Sequence, residues 1–128
     1  MMRGLAVLAA AASLAFGAMP ANAQSVPCDR DCLIQVADHY LHALVDDKPA
    51  EADISATARY TENGQQLDIG DGIWATAQKL GTYRIVVPDT ARQEVGIAAQ
   101  VIESGRRVLI GTRLAVLRGK ITEIEQIV

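Results

Sequence analysis

The stretch from Glu94 to Val128 constrains this chain most. Two runs, EVGIAAQVIE and RRVLIGTRLAVLR, and a shorter third, ITEIEQIV, carry Val, Ile and Leu with period two. The gaps between them, ESGR and RGK, each hold the glycine that a tight reversal tolerates. A helix would space its apolar residues by three and four, so the pattern predicts a three-strand antiparallel meander. Both faces of the second run are rich in hydrophobes. Val108, Ile110, Thr112, Leu114 and Val116 occupy one; Leu109, Gly111, Ala115 and Leu117, in phase with Arg107 and Arg113, occupy the other. One face can cover a helix, but a chain this short has too few helices to cover the second. The uncovered face predicts a homodimer through the sheet, against the alternative of a monomer with a partly apolar surface.

The start of the chain reads as a signal peptide over residues 1–23. Arg3 supplies a positive charge, Leu5 to Ala18 form a small-residue apolar run, and Ala21-Asn22-Ala23 before Gln24 fits a signal peptidase site. The run is shorter than the roughly 20 residues a bilayer core needs. The expected organisation is therefore a leader followed by one domain, residues 24–128, periplasmic or secreted, with no membrane association after leader removal. The formal charge of -3 and the absence of any basic run exclude a nucleic-acid partner. Export also favours oxidation of the two cysteines, Cys28 and Cys32, which sit one helical turn apart and are expected to form a disulfide. Their spacing is not the CxxC of a redox pair, and no further cysteine completes a metal cluster.

Downstream, CLIQVADHYLHALVDD predicts one long amphipathic helix, with Leu33, Val36, Ala37, Tyr40, Leu41 and Leu44 on one stripe and Asp29 or Asp31 as its cap. Lys48-Pro49 ends it. Residues 49–57 read as a short helix or turn, Tyr60 to Asn63 as a short extended piece ending at Asn63-Gly64, and GIWATAQKL as about two helical turns closed by Gly81. Thr82 to Val87 read as a strand that Pro88-Asp89 terminates.

This order, together with the phrases RYTENGQ, GDGIWATA, YRIVVPD, EVGIAAQVIESG and RLAVLRGKITEIEQIV, resembles the NTF2-like or SnoaL-like superfamily, in an uncharacterised exported branch. The resemblance implies an α+β cone, in which a long N-terminal helix and short helices pack on a strongly curved, mostly antiparallel sheet enclosing a pocket. It implies a small-molecule ligand in that conical pocket. It also implies either cofactor-independent lyase, dehydratase or isomerase chemistry, or a non-catalytic periplasmic binding or dimerisation module. No histidine follows His42, so the strand-borne histidines of the scytalone dehydratase pattern are missing.

Several residues are candidates for such chemistry. Period two puts Tyr60 and Glu62 on one face, Glu62 as proton acceptor and Tyr60 as donor to a developing oxyanion, with Asn63 beside them. The competing reading pairs Glu62 with an arginine and makes Asn63-Gly64 a plain turn. His42 lies one turn after Asp38 and reads as a general base or as a rim residue. Trp74, the single tryptophan, either walls a ligand or fills the core. Tyr83 shares a face with Ile85 and Val87. Arg113, mid-strand among hydrophobes, must be paired, with Glu94, Glu123 and Glu125 within reach, or must face an anionic ligand. No glycine-rich turn has the spacing for a nicotinamide, flavin or nucleotide-phosphate cofactor, and a metal site at His39 and His42 lacks a third ligand, so neither a cofactor nor a metal is expected.

Overall fold

Helix α1 forms where the apolar spacing predicts it, over Arg30–Val45, in a computed structural model that describes residues 26–128. The expected leader, residues 1–23, lies outside those residues. Asp29 caps α1 by accepting from the Cys32 N–H, and all six residues of the predicted stripe are buried. The Cys28–Cys32 disulfide is formed, its Cα atoms 5.3 Å apart. Gln93 clamps the same turn from across the chain, accepting from Cys28 N–H at 2.7 Å and donating to Cys28 C=O at 2.8 Å. The start of α1 is thus tied to itself and to the entrance of the meander.

After a 3₁₀ turn at Pro49–Glu51 the chain enters β1 (Ile54–Glu62), so the helix or turn expected over 49–57 is only this turn. Asn63 (φ 50°) and Gly64 (φ 80°) make the reversal into β2 (Gln65–Leu67), a turn that needs positive φ at both central positions. The helix expected over GIWATAQKL is shorter than predicted. α2 covers only Ile73–Thr76, and β3 (Ala77–Asp89) begins at once. Pairing of Ala77, Lys79 and Leu80 with β4 (Glu94–Glu103) overrides the helical preference of Ala-Gln-Lys-Leu. β3 also runs past its expected end at Pro88, because it is an edge strand and a missing N–H there costs no ladder bond. β4, β5 (Arg106–Leu117) and β6 (Lys120–Ile127) form the predicted antiparallel meander. The six strands lie in the order β2-β1-β6-β5-β4-β3, with β1 and β6 the single parallel pair.

Contrary to the expected cone, the sheet is neither closed nor strongly curled around a pocket. β2 and β3 end it on opposite sides without pairing. Register shifts, such as that between Leu80 and Arg84, bend single strands and do not bring the edges together. α1 lies directly on the sheet, and the space an enclosed pocket would occupy holds Trp74, Tyr40 and Tyr60, the three bulkiest fully buried side chains. Burial of each large apolar body contributes roughly 1.5–3 kcal/mol, which an open cone would forgo.

A bulge in β6 decides which side chains enter that interior. Ala115 pairs with Glu123 and Val116 with Ile121, leaving Thr122 as an extra residue whose hydroxyl donates to Ala115 C=O at 3.3 Å. The extra residue reverses the alternation. Ile124 and Gln126 therefore turn inward with Ile121, while Glu123 and Glu125 turn to the outer face beside Arg113.

Candidate functional site

A chain of side-chain hydrogen bonds runs through the otherwise apolar interior. Tyr40 from α1 donates to Gln126 Oε1 at 2.8 Å, and Thr112 from β5 donates to the same oxygen at 3.0 Å. Gln126 Nε2 donates to Tyr60 Oη at 3.5 Å, and Tyr60 donates to Glu62 Oε2 at 2.5 Å. The parallel pairing of β1 with β6 sets this up, because it places Glu62 opposite Gln126 and Tyr60 opposite Ile124. Burial, and for Tyr60 also its bond to Glu62, pushes both tyrosine hydroxyls well above the usual phenol range, so both stay protonated donors.

Glu62 is held at one oxygen and free at the other. Oε2 accepts from Tyr60 and from the Ile73 N–H at 2.9 Å; Oε1 has no donor among the described residues. The carboxylate lies so close to Gly72 that a Cβ there would stand 2.6 Å from Oε2, and Gly72 has φ 63°, ψ -132°, a conformation open to glycine. Glycine at position 72 thus permits the turn that delivers α2 onto Glu62.

Next to Ile73, Trp74 is fully buried. Its ring stands edge-on to Tyr40, with centroids 5.4 Å apart and planes at 86°. Its Nε1–H is the one buried side-chain polar atom among the described residues with no hydrogen-bond partner. The indole lies close enough to Tyr40 to offset part of the burial effect on that hydroxyl, without the geometry of a bond.

The other candidates lie elsewhere. His42 is on the exposed side of α1, away from the cluster, and His39 is also exposed, 3.4 Å from Asp53. Asn63 Oδ1 accepts from the Val128 N–H at 3.0 Å and pins the end of the chain. Tyr83 is about half exposed beside Ile85 and Val87, in a small recess at the β3 bulge that Gln100 and Gly81 also line. Arg113 sits on the outer face with each guanidinium nitrogen on a different carboxylate: Glu94 at 2.8 Å, Glu123 at 2.7 Å and Glu125 at 3.0 Å. It lines a shallow recess of about 490 Å³ with Arg59, Gly111, Glu125 and Ile127. The candidates that come together are Tyr60, Glu62 and Trp74. Tyr40, Gln126 and Thr112 join them, and sequence reasoning assigned these only to the sheet and the apolar stripe. Gln126 was hidden by the bulge at Thr122; a glutamine at a buried strand position becomes a signal only once that phase is known.

Hydrogen bonds to Arg113 hold the Glu125 carboxyl below the usual glutamate range. A folded-state pKa below the unfolded value adds stability that is present above the ordinary glutamate pKa and is lost as pH falls through the folded one. An NMR titration is expected to show Glu125 titrating at a lower pH than free glutamate. In Arg113→Leu the titration is expected to return to the ordinary range; an unchanged Glu125 titration would show that Arg113 is not its partner.

Among the described residues no group of three metal-ligating side chains is assembled, and no helix is long and apolar enough to cross a membrane. No curated protein matches the sequence. Solved structures match its fold at low identity. An NTF2-like protein of unknown function from Cytophaga hutchinsonii is 11% identical, with 73% of this chain and 87% of that one covered and a TM-score of 0.57. A proposed ketosteroid isomerase from Kribbella flavida is 13% identical over 76% of this chain and 77% of that one, TM-score 0.61. A proposed polyketide cyclase from Xanthomonas campestris is 13% identical over 77% and 91%, TM-score 0.58. The fold accordingly resembles that of the NTF2-like superfamily. At the level of sequence, residues 27–128 match the family described as Domain of unknown function (DUF8021), and the chain belongs to it.

Proposed function

We propose that the domain binds a small, partly apolar cyclic molecule at the interior cluster and moves a proton on it, as a cofactor-independent isomerase, dehydratase or lyase. The observation that carries this reading is the asymmetry of Glu62: Oε2 is fixed by Tyr60 and the Ile73 N–H, while Oε1 is left as an unpaired acceptor. Glu62 Oε1 takes a proton from carbon next to a ring carbonyl. The Tyr40 hydroxyl and the Gln126 amide, which bond to Gln126 and to Tyr60 in the free protein, turn to receive charge developing on the carbonyl oxygen. Return of the proton at another carbon isomerises the ring; loss of a β-hydroxyl as water dehydrates it. The names given to the isomerase-like and cyclase-like fold relatives are in keeping with this class. His42, Asn63, Tyr83 and Arg113 have no part in this step.

1-Tetralone, a fused-ring ketone, serves as a probe in D₂O. The protein is expected to speed exchange of its C2 protons, followed by NMR, and Glu62→Gln is expected to lower that rate by about 100-fold or more with the fold intact. Equal rates for the two proteins would remove Glu62 from the chemistry.

A second reading, a non-catalytic dimerising module, is favoured by the outer face. Ile85, Val87, Leu109, Leu117 and Ile127 are exposed there, around the small residues Gly96, Ala98 and Gly111. On this reading two copies meet through the sheet, and Leu109→Lys shifts sedimentation from dimer to monomer; a wild-type monomer at all concentrations excludes it. Both readings place the chain in the periplasm or outside the cell after cleavage before Gln24. The disulfide supports that placement, and mass spectrometry of the mature N-terminus tests it.

A further inference from the structure

We infer that Trp74 is a displaceable plug in the interior site, and that the molecule replacing it is a flat fused-ring compound of about indole size carrying a hydrogen-bonding oxygen. The inference rests on the acid–base reading of the Tyr60–Glu62 cluster and adds how that cluster opens and what shape it admits.

Glu62 is half-buried under the start of α2, on the Ile73 N–H, and the space against the Tyr40 ring is filled by the fully buried Trp74. A residue that only filled the core would be better served by a side chain without a donor. Trp74 instead buries an N–H that no acceptor, the nearby Tyr40 hydroxyl included, meets with the geometry of a bond. Its segment is also lightly tethered. The backbone bonds of the turn are local: Asp71 N–H to Asp68 C=O at 3.1 Å, Trp74 N–H to Asp71 C=O at 3.3 Å and Ala75 N–H to Gly72 C=O at 3.1 Å. Beyond the turn, its hydrogen bonds go to two carboxylates, Glu62 at the Ile73 N–H and Glu103 at the Thr76 hydroxyl, 2.6 Å. Strand pairing to β4 resumes at Ala77, and Gly70 (φ 109°) and Gly72 (φ 63°) flank the other side. Rotation at the glycines therefore carries α2 outward without breaking the sheet.

Two consequences follow in one step. The indole leaves a flat slot against Tyr40, and Glu62 Oε2 loses the Ile73 N–H, which frees the carboxylate as the slot opens. The ring that enters inherits the shape of the ring that leaves. The donors around it select an oxygen substituent, because Tyr40 and Gln126 can turn toward an acceptor.

The single tryptophan makes this testable by ¹⁹F NMR on protein carrying 5-fluorotryptophan, titrated with 1-tetralone. The expected result is binding with movement of the one resonance from its buried position toward that of the unfolded chain, with a new H₂O/D₂O isotope shift. Hydrogen exchange of the Ile73–Thr76 amides in the free protein is expected to be at least about 100-fold faster than that of Val101, Ile110 and Leu114. Binding without movement of the resonance overturns the plug, as does exchange of α2 as slow as that of the central strands. If wild type fails to bind the probe the plug is likewise overturned, and Trp74→Gly then separates the two ideas. Binding by that variant leaves the interior site standing with Trp74 as fixed core, whereas failure of both proteins removes the interior site as well.

Discussion

Replacing Trp74 by alanine is expected to lower the free energy of unfolding by about 3–5 kcal/mol, read as a shift of the urea midpoint at unchanged slope. The indole is fully buried against Tyr40, and its removal leaves a void that α1 and the sheet can only partly close. Trp74→Phe is expected to cost much less. It loses part of the ring but also removes the unmatched N–H, whose burial costs about 1–3 kcal/mol. A plug must be stable in its seat and still able to leave it, and the lost hydrogen bond is the term that narrows the gap between those states. If alanine costs under about 1 kcal/mol, the indole is not seated in solution and the closed interior is not the resting form.

Gln126→Leu is the second large effect, expected at about 2–4 kcal/mol although leucine is close in size and more apolar. Gln126 Oε1 is the acceptor for both the Tyr40 and the Thr112 hydroxyls. Leucine strands both at buried positions, and Tyr60 loses a donor while keeping Glu62. The cost should largely disappear when Tyr40→Phe and Thr112→Val are added, since removing all partners of a buried network leaves nothing unsatisfied. Recovery in the triple variant would assign the loss to the hydrogen bonds; no recovery would assign it to packing.

The particular residues show what sequence alone could reveal. The meander from Glu94 to Val128 was legible because its alternation is long, its inner face is mainly apolar, and the turns carry glycine. α1 was legible from six apolar positions at helical spacing. The boundary between α2 and β3 was not, because Ala77 to Leu80 prefer a helix locally and become strand by pairing with β4, a partner more than twenty residues away. The bulge at Thr122 has no local mark either, and it alone decides that Gln126 faces the interior. The expectation of a strongly curved sheet around a pocket came from resemblance. It failed because what occupies the space between helix and sheet depends on three side chains, Tyr40, Tyr60 and Trp74, whose joint placement is a tertiary property. Tyr60 and Glu62 were brought together by period two, a strictly local rule, and they do meet. His42 could not be placed as surely, since its helical angle lay at the border of the apolar stripe and the structure turns it to solvent.

The central claim is that the interior cluster, once Trp74 moves, holds a ring for Glu62 to act on. A crystal structure grown with 1-tetralone tests it most directly. The account predicts the ring against Tyr40, its C2 carbon within about 3.5 Å of Glu62 Oε1, and Trp74 turned outward. A ring lying instead in the outer recess beside Arg113, with Trp74 still edge-on to Tyr40, would contradict it.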